Sequence, residues 1–132
     1  MDLQLRYFGR DTMKSESIIQ QEILLEAAKY GIKLMRNNSG ALMDSNGRMV
    51  RYGLDNISKI HNAKFKSSDL IGIIPPSGRF IAIECKREGW KFNPNDTREQ
   101  AQAAFIHYIV SHGGVAGFCS SVIDFLNLLN KS

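Results

Sequence analysis

Three charged residues interrupt two otherwise apolar segments, and their types and spacing suit hydrolytic chemistry. Asp69 precedes "LIGII", while Glu84 and Lys86 close "RFIAIECK". The intervening "PPSG" has turn chemistry, so the two segments are predicted to be strands of one hairpin. A four-residue loop pairs Ile74 with Arg79. Equal steps back along each strand then place Asp69 directly opposite Glu84.

Two facing carboxylates with a lysine beside them predict a divalent-metal site. Opposed Cβ atoms of an antiparallel pair lie about 4.5–5.5 Å apart, so Asp69 and Glu84 repel each other unless a proton or a cation lies between them. Mg²⁺ prefers a few carboxylate oxygens and several waters, and Mn²⁺ accepts similar ligands. Lys86 shares the face of Glu84 because strand side chains alternate. It could orient or deprotonate a water, or stabilise charge that develops on a phosphate.

A simpler interpretation of the same residues is open at this point. Glu84 and Lys86 could form an exposed ion pair at the end of a strand, and Asp69 could cap the start of its own strand. The E-x-K spacing alone does not distinguish the two interpretations. The full D-x14-E-x-K pattern across a turn, preceded by a helix that carries an unexplained acid, favours the metal site.

That acid lies on the first predicted helix, 14–30, whose apolar residues share one broad face. Glu16 and Gln20 point into the middle of this face. A core-facing carboxylate needs a partner, because burying an unpaired charge costs several kcal/mol. Glu16 is therefore a candidate site residue, with Glu22 as its rival.

The remaining pattern predicts an α/β fold with a mixed central sheet flanked by helices, in the order α-β-β-β-α-β-α. "IKLMR" and "VAGFCS" are predicted strands, and "DSNG" is the turn of a small hairpin. Thr97 and Gln100 have the spacing of a capping box for a helix over 98–112. Ser121 is predicted to start a terminal helix that runs through Leu129. Both faces of the central hairpin are apolar, so helices should cover the sheet on both sides.

Length and composition predict one domain. The chain has 132 residues with 43% hydrophobic content, enough for an ordinary core. Residues 1–12 show no clear period and are expected to be a loosely ordered leader before a single domain over 13–132. No run approaches the about 18–20 apolar residues of a membrane span, and no signal-peptide pattern is present. An intracellular protein without a membrane partner is expected. Cys85 and Cys119 lie in apolar runs and lack disulfide or zinc spacing.

The positive charge is concentrated in one part of the chain. The formal net charge is +4, and residues 33–66 hold seven Lys/Arg against two Asp. This concentration suits a phosphate backbone, although a solvated basic face has the same composition. Such contacts position a backbone without reading bases. The candidate DNA-contacting residues, which flank the acidic cluster in sequence, are Arg48, Arg51, Lys59, Lys64, Lys66, Arg87 and Lys91.

A family resemblance accompanies these patterns. "SSDLIGI" followed by "IECK" resembles the PD-(D/E)XK nuclease motif, with Ser68 at the position usually held by proline. Four further features are similar to the virus-type replication-repair nuclease (VRR-NUC) branch: "SESIIQQEIL", "RNNSGA", "GRMVRYGL", and a helix that opens on glutamine and closes on "GG". The resemblance spans about Lys14 to Leu129. It implies a restriction-endonuclease-like core and a divalent-metal-dependent phosphodiesterase that acts on DNA.

The resemblance also assigns roles residue by residue. It implies that Asp69 and Glu84 are metal ligands, with the Cys85 backbone carbonyl as a third, and that Lys86 is the catalytic lysine. Glu16 corresponds to the helix-borne acid, which reaches the metal through a water. Gln100 corresponds to the glutamine of the later helix, and the long link that contains "NPND" leaves Gln102 as its alternative.

The resemblance further implies structure-selective cutting of branched or flapped DNA, often by a homodimer, and a role in DNA repair. A phage or prophage origin would place the protein in the cytoplasm of a bacterial host. A non-catalytic DNA-binding or assembly module on a nuclease fold is a second hypothesis, and a nuclease for RNA is a third. Residues without a surrounding motif are interpreted as packing or surface residues, and these are Trp90, Phe92, His61, His107 and His112.

Overall fold

The structure is a computed structural model that describes residues 13–131. The leader predicted over 1–12 lies outside the described residues. Within residues 13–131, no helix combines the length and the apolar character needed to cross a membrane. Cys85 and Cys119 are both buried free thiols.

The described residues form a mixed α/β structure in which every predicted element is present. One short helix between the small hairpin and the central hairpin was not predicted. The helices are α1 (Glu16–Ala28), α2 (Lys59–Lys64), α3 (Thr97–Ser111) and α4 (Val122–Asn130), and the strands are β1 (Lys33–Arg36), β2 (Gly40–Met43), β3 (Met49–Tyr52), β4 (Leu70–Ile74), β5 (Arg79–Cys85) and β6 (Val115–Cys119).

The central sheet has the strand order β1-β4-β5-β6. The β1–β4 and β4–β5 pairs are antiparallel, whereas β6 runs parallel to β5 because α3 carries the chain back along the sheet. Ile74 pairs with Arg79 and Leu70 with Ile83, which confirms the register predicted from the four-residue turn. The next step along this ladder brings Asp69 opposite Glu84. Strands β2 and β3 form a separate two-stranded hairpin.

Helices cover both faces of the central sheet, as predicted. On one face, α1 and α4 bury Ile19, Ile23 and Phe125 against the sheet. On the other face, Phe105 of α3 packs with Ala82 of β5. Because side chains alternate along a strand, Glu84 shares the face of Ala82. The charged end of the hairpin is therefore turned toward α3.

Helix α1 is shorter than the predicted 14–30. The hydroxyl of Ser15 caps it by accepting a hydrogen bond from the Ile18 amide at 3.3 Å. Glu16 is the first helical residue and is exposed, so the prediction that its side chain points into the core is wrong. Helical side chains tilt toward the N-terminus, so a first-turn side chain projects past the end of the helix.

Helix α3 starts one residue earlier than predicted. Asp96 caps it, with Oδ1 accepting from the Glu99 amide at 3.0 Å. The predicted Thr97–Gln100 capping box is wrong because Asp96 supplies the acceptor instead. Gln100 donates its side-chain amide to the Pro94 carbonyl. Ser121 caps α4 as predicted, with its hydroxyl accepting from the Asp124 amide at 3.1 Å.

Candidate active site

Asp69 and Glu84 meet at the end of the central hairpin. The Cys85 amide donates to Asp69 Oδ2 at 2.9 Å, which ties Asp69 across to the neighbouring strand. The charge of Asp69 and a side-chain hydrogen bond with it both raise the pKa of Glu84. Two acids can share such a bond only when one of them holds a proton. The facing pair predicted from the turn length is therefore in direct contact.

The environment of Glu84 favours its protonated form. The side chain is only 4% exposed. Burial raises the pKa of Glu84 to about 9, and the charge and hydrogen bond of Asp69 reinforce this shift. The positive charge of Lys86 acts in the opposite direction. Without a cation, the Asp69–Glu84 pair therefore retains a proton at neutral pH, as expected for facing carboxylates with no metal between them.

Lys86 is linked to this pair through an amide. Its side chain is 7% exposed, and Nζ donates to Gln102 Oε1 at 2.8 Å. Gln102 is 3% exposed and donates through Nε2 to Glu84 Oε2 at 3.3 Å. The side chain of Gln102 in α3 therefore contacts both Glu84, in β5, and Lys86, just after β5.

The interpretation of Glu84 and Lys86 as an exposed ion pair is wrong. Both side chains are buried. Across residues 13–131, the ion pairs with N···O distances within 4.0 Å are Lys14–Glu22, Lys29–Glu26 and His61–Asp55. Helix α3 covers this end of the hairpin and provides Gln102 as the intermediary.

Aromatic rings also contact Lys86. Its Nζ lies 5.5 Å from the centroid of the Trp90 ring and 5.8 Å from that of Phe118. Trp90 is held in turn by a hydrogen bond from its Nε1 to Glu99 Oε2 at 3.2 Å. A cation near an aromatic face gains about 0.5–2 kcal/mol. The sequence pattern predicted only a packing or surface role for Trp90. Its position four residues after Lys86 was the one sequence feature that could have indicated this contact.

The structure brings Gln102, and not Gln100, to the candidate site. Gln100 is exposed and bonded to the loop that precedes α3. Helical residues two positions apart differ by about 200° in direction, so only one of the two glutamines can face the sheet. Of the two glutamines, Gln102 is therefore the one that contacts Glu84 and Lys86.

Of the two candidate acids on α1, Glu16 is the one whose charge affects the pKa of Glu84. Burial is the main cause of the raised pKa of Glu84, and the charge of Glu16 is among the lesser causes. Glu22 instead forms an exposed ion pair with Lys14 at 3.0 Å. Glu16 therefore acts on Glu84 through its charge, and Glu22 has another partner.

A polar pocket of about 430 Å³ opens beside the acids. Asp69, Glu84 and Gln102 form part of its wall, together with the cationic residues Arg51, Lys66 and Arg98. Arg51 and Lys66 were predicted DNA contacts, and Arg98 was not. The other predicted contacts do not line this pocket, and these are Arg48, Lys59, Lys64, Arg87 and Lys91.

One asparagine holds the segment after β1 against the strand that carries Asp69. Asn37 Nδ2 donates to Ser67 Oγ at 2.8 Å and to the Ser68 carbonyl at 2.9 Å. Its Oδ1 accepts from the Leu54 amide at 3.0 Å. This single side chain thus joins three segments of the pocket wall. Ser68 itself is buried, and its hydroxyl has no hydrogen-bond partner among the described residues.

A second asparagine organises the small hairpin that forms another part of the wall. Asn56 Nδ2 donates to the carbonyls of Gly40 and Tyr52, at 2.9 Å each. Its Oδ1 accepts from Arg51 Nη1, also at 2.9 Å. The Arg51 guanidinium therefore has a fixed orientation at the pocket.

The donor set of the site fits a hard divalent cation. Within residues 13–131, no group of three or more His, Cys, Asp or Glu residues is placed to hold a metal. The Cys85 side chain packs in the core, and burial raises the pKa of its thiol. Only backbone oxygen is then available from that residue. Two carboxylates completed by carbonyl and water oxygens suit Mg²⁺ or Mn²⁺ and do not suit a structural zinc site.

Comparison of the chain with protein-family models, with curated proteins and with solved structures gives no significant match.

Proposed function

We propose that this protein is a divalent-metal-dependent nuclease that hydrolyses phosphodiester bonds of DNA. One observation carries the proposal: Asp69 and Glu84 line a polar pocket that also contains three cationic side chains, and Lys86 is linked to Glu84 through Gln102, which lines the same pocket. Acids that can hold a metal, a fixed ammonium group and positive charge for a phosphate backbone are the components of phosphodiester hydrolysis. The proposal includes a restriction-endonuclease-like core, supported by the VRR-NUC resemblance and the mixed four-stranded sheet.

Asp69 and Glu84 would hold Mg²⁺ or Mn²⁺, with the Cys85 backbone carbonyl as a third ligand and Glu16 contributing through a water. When bound, such an ion polarises the phosphate and lowers the pKa of a coordinated water. Asp69 is already oriented for this role by the Cys85 amide, which occupies only one of its oxygens. The proton that Glu84 retains without a cation would leave when the ion binds, because ligating carboxylates are deprotonated.

Lys86 supplies a positive charge whose position is fixed before substrate binds. Gln102 and the ring of Trp90 restrict its ammonium group. In a buried environment, a preorganised charge stabilises developing negative charge more strongly than it would in water. Lys86 therefore stabilises the phosphate in the transition state or positions the attacking water. Gln102 separates the Lys86 ammonium group from the Glu84 carboxyl group by binding to both.

Selective cutting of branched or flapped DNA, and action as a homodimer with two sites facing two strands, are further parts of the proposal. Their support is the sequence resemblance. The cationic lining of the pocket supports a backbone-directed mode of binding, because phosphate contacts carry no base information.

The deciding experiment is a cleavage assay with the purified protein. Linear, single-stranded, branched and flapped DNA are each incubated with Mg²⁺, Mn²⁺ or EDTA, alongside matched RNA substrates. We expect cutting of DNA with either metal and none in EDTA. Metal-independent cutting, or absence of cutting of any substrate, would overturn the proposal; the latter would favour a non-catalytic DNA-binding module. Cutting of RNA alone would indicate an RNA nuclease.

Variants connect the activity to this site. Glu84→Ala and Lys86→Ala should each abolish cleavage while retaining the fold and most DNA affinity. Lys29→Ala is the matched control, because Lys29 is an exposed residue at the end of α1, paired with Glu26. Full activity in either site variant would show that the metal-dependent activity has another origin.

A further inference from the structure

Three cationic side chains from separate parts of the chain line the same pocket as the candidate catalytic acids. Arg51 comes from β3, Lys66 from the segment between α2 and β4, and Arg98 from the first turn of α3. Their separation in sequence means that only the folded chain assembles them. Arg98 in particular is distant from the basic segment 33–66 and was not recognised from the sequence.

Among residues 13–131, no carboxylate forms an ion pair with Arg51, Lys66 or Arg98 within 4.0 Å. The pKa of Lys66 is lowered, first by burial and then by the positive charges of Arg98 and Arg51. Arg51 and Arg98 therefore lie close enough to disfavour the charge of Lys66. A bound anion would relieve this repulsion.

Two of these residues are also held by neighbouring groups. Asn56 Oδ1 accepts from Arg51 Nη1 at 2.9 Å, and the backbone amide of Lys66 donates to the Ala101 carbonyl of α3 at 3.1 Å. Arg98 lies four residues before Gln102 and so shares its helix face. Four helical residues, about 6 Å of rise, separate Arg98 from the residue that contacts Glu84 and Lys86.

The lining of the pocket indicates which part of a nucleic acid it accepts. Its volume of about 430 Å³ lies within the range of small-ligand sites. Among residues 13–131, no aromatic side chain lines it, and its apolar lining residues are Gly40 and Ala41. Proteins that bind unpaired bases usually stack them on aromatic rings. The pocket therefore suits phosphate and sugar, and not a base.

We propose that Arg51, Lys66 and Arg98 form a phosphate subsite that binds the backbone phosphate next to the one cleaved. This inference rests on the proposed nuclease function and adds Arg98 as a substrate-binding residue. The subsite anchors the strand so that the neighbouring phosphate reaches Asp69, Glu84 and Lys86. It acts equally on all base sequences, because it contacts only the backbone.

The test measures equilibrium binding of one short DNA in EDTA, where cleavage cannot occur, over a series of salt concentrations. Arg98→Gln should weaken binding about tenfold at low salt. It should also reduce the slope of log K against log salt by about 0.7–0.9, the contribution of one phosphate contact. Arg98→Lys should retain most of the slope because it keeps the charge. Unfolding curves of each variant exclude loss of the fold.

Arg79→Gln is the matched control. Arg79 begins β5 at the end opposite Glu84, and its Nε donates to the Gly113 carbonyl at 2.9 Å. This variant removes the same charge without touching the pocket and should leave the slope unchanged. Equal effects of Arg98→Gln and Arg79→Gln on affinity and slope would overturn the subsite. A loss at Arg98 that depends on base sequence would also overturn it.

Failure of the subsite and failure of the proposed function have different signatures. If the unaltered protein cuts DNA and Arg98→Gln binds and cuts normally, the subsite is wrong and the nuclease function stands. If the unaltered protein cuts nothing but shows the Arg98-dependent salt slope, phosphate binding is supported and catalysis is wrong. In a cutting enzyme, Arg98→Gln should raise KM more than it lowers kcat, because the contact is made before the chemical step.

Discussion

Gln102 Oε1 accepts a 2.8 Å hydrogen bond from Lys86 Nζ, and both side chains are almost entirely buried. The same amide donates through Nε2 to Glu84. Acceptor and donor ends of one side chain thus separate a buried ammonium group from a buried carboxyl group. The geometry of the candidate site depends on the placement of α3 as much as on the hairpin that carries the charges.

Replacing Gln102 should damage both activity and stability. Gln102→Ala leaves the buried ammonium of Lys86 without its acceptor, which should lower the free energy of unfolding by about 1–3 kcal/mol. Loss of the fixed position should lower kcat about a hundredfold. Gln100→Ala is the control, since Gln100 is exposed on the other side of the same helix. Urea unfolding and cleavage kinetics measure the two effects, and equal results for the two variants would contradict the assignment of Gln102.

Trp90 is predicted to position Lys86. Trp90→Leu removes the ring 5.5 Å from the ammonium group and should lower kcat with little change in KM, because Lys86 loses orientation while the DNA contacts persist. Trp90→Phe keeps an aromatic face and should retain most of the activity. Phe92→Leu is the control, because Phe92 packs on Trp90 and Phe118. A loss of kcat at Phe92 as large as at Trp90 would indicate general packing damage.

The stability of the metal-free protein should fall as pH rises from about 4.5 to about 9, the unfolded and folded pKa values of Glu84. Over this interval the folded state keeps a proton that the unfolded state releases, so alkali favours unfolding. The slope approaches about 1.4 kcal/mol per pH unit for one proton. Glu84→Gln should remove this dependence. The variant Glu26→Gln, at an acid of α1 that pairs with Lys29, should keep it, and urea unfolding in EDTA across this pH range measures all three proteins.

Glu16 and Glu22 are predicted to differ in their effect on metal use. Glu16→Gln should raise the Mg²⁺ concentration needed for half-maximal cleavage, because it removes a negative charge that acts on Glu84. Glu22→Gln should leave that concentration unchanged, since Glu22 is paired with Lys14 at the surface. Metal titrations of cleavage rate distinguish the variants, and a larger shift at Glu22 would reverse the assignment.

The two cysteines are predicted to be unreactive in the folded protein. Burial raises the pKa of both Cys85 and Cys119, which suppresses the thiolate that reacts with alkylating agents. Iodoacetamide at mildly alkaline pH should modify neither residue in the native state and both in denaturant, as followed by mass spectrometry. Modification of Cys85 in the native protein would show that the end of β5 opens readily.

The sequence by itself determined the central hairpin and its charged end. The turn "PPSG" fixes the pairing of Ile74 with Arg79, and the period-two geometry of strands carries that register to Asp69 and Glu84 without further information. The presence of helices on both sides of the central sheet was predictable because both faces of the hairpin are apolar. These features could be predicted because they depend on residues that are close together in the chain.

The surroundings of the charged end were decided only by the tertiary structure. Whether Gln100 or Gln102 faces Glu84 depends on where α3 begins and on how it packs, and Asp96 set that start one residue earlier than expected. Arg98 and Trp90 reach the site for the same reason, from a helix and a loop whose positions are fixed by contacts distant in sequence. Helix phase changes by about 100° for each residue, so a small uncertainty in the start moves a side chain from solvent to the site.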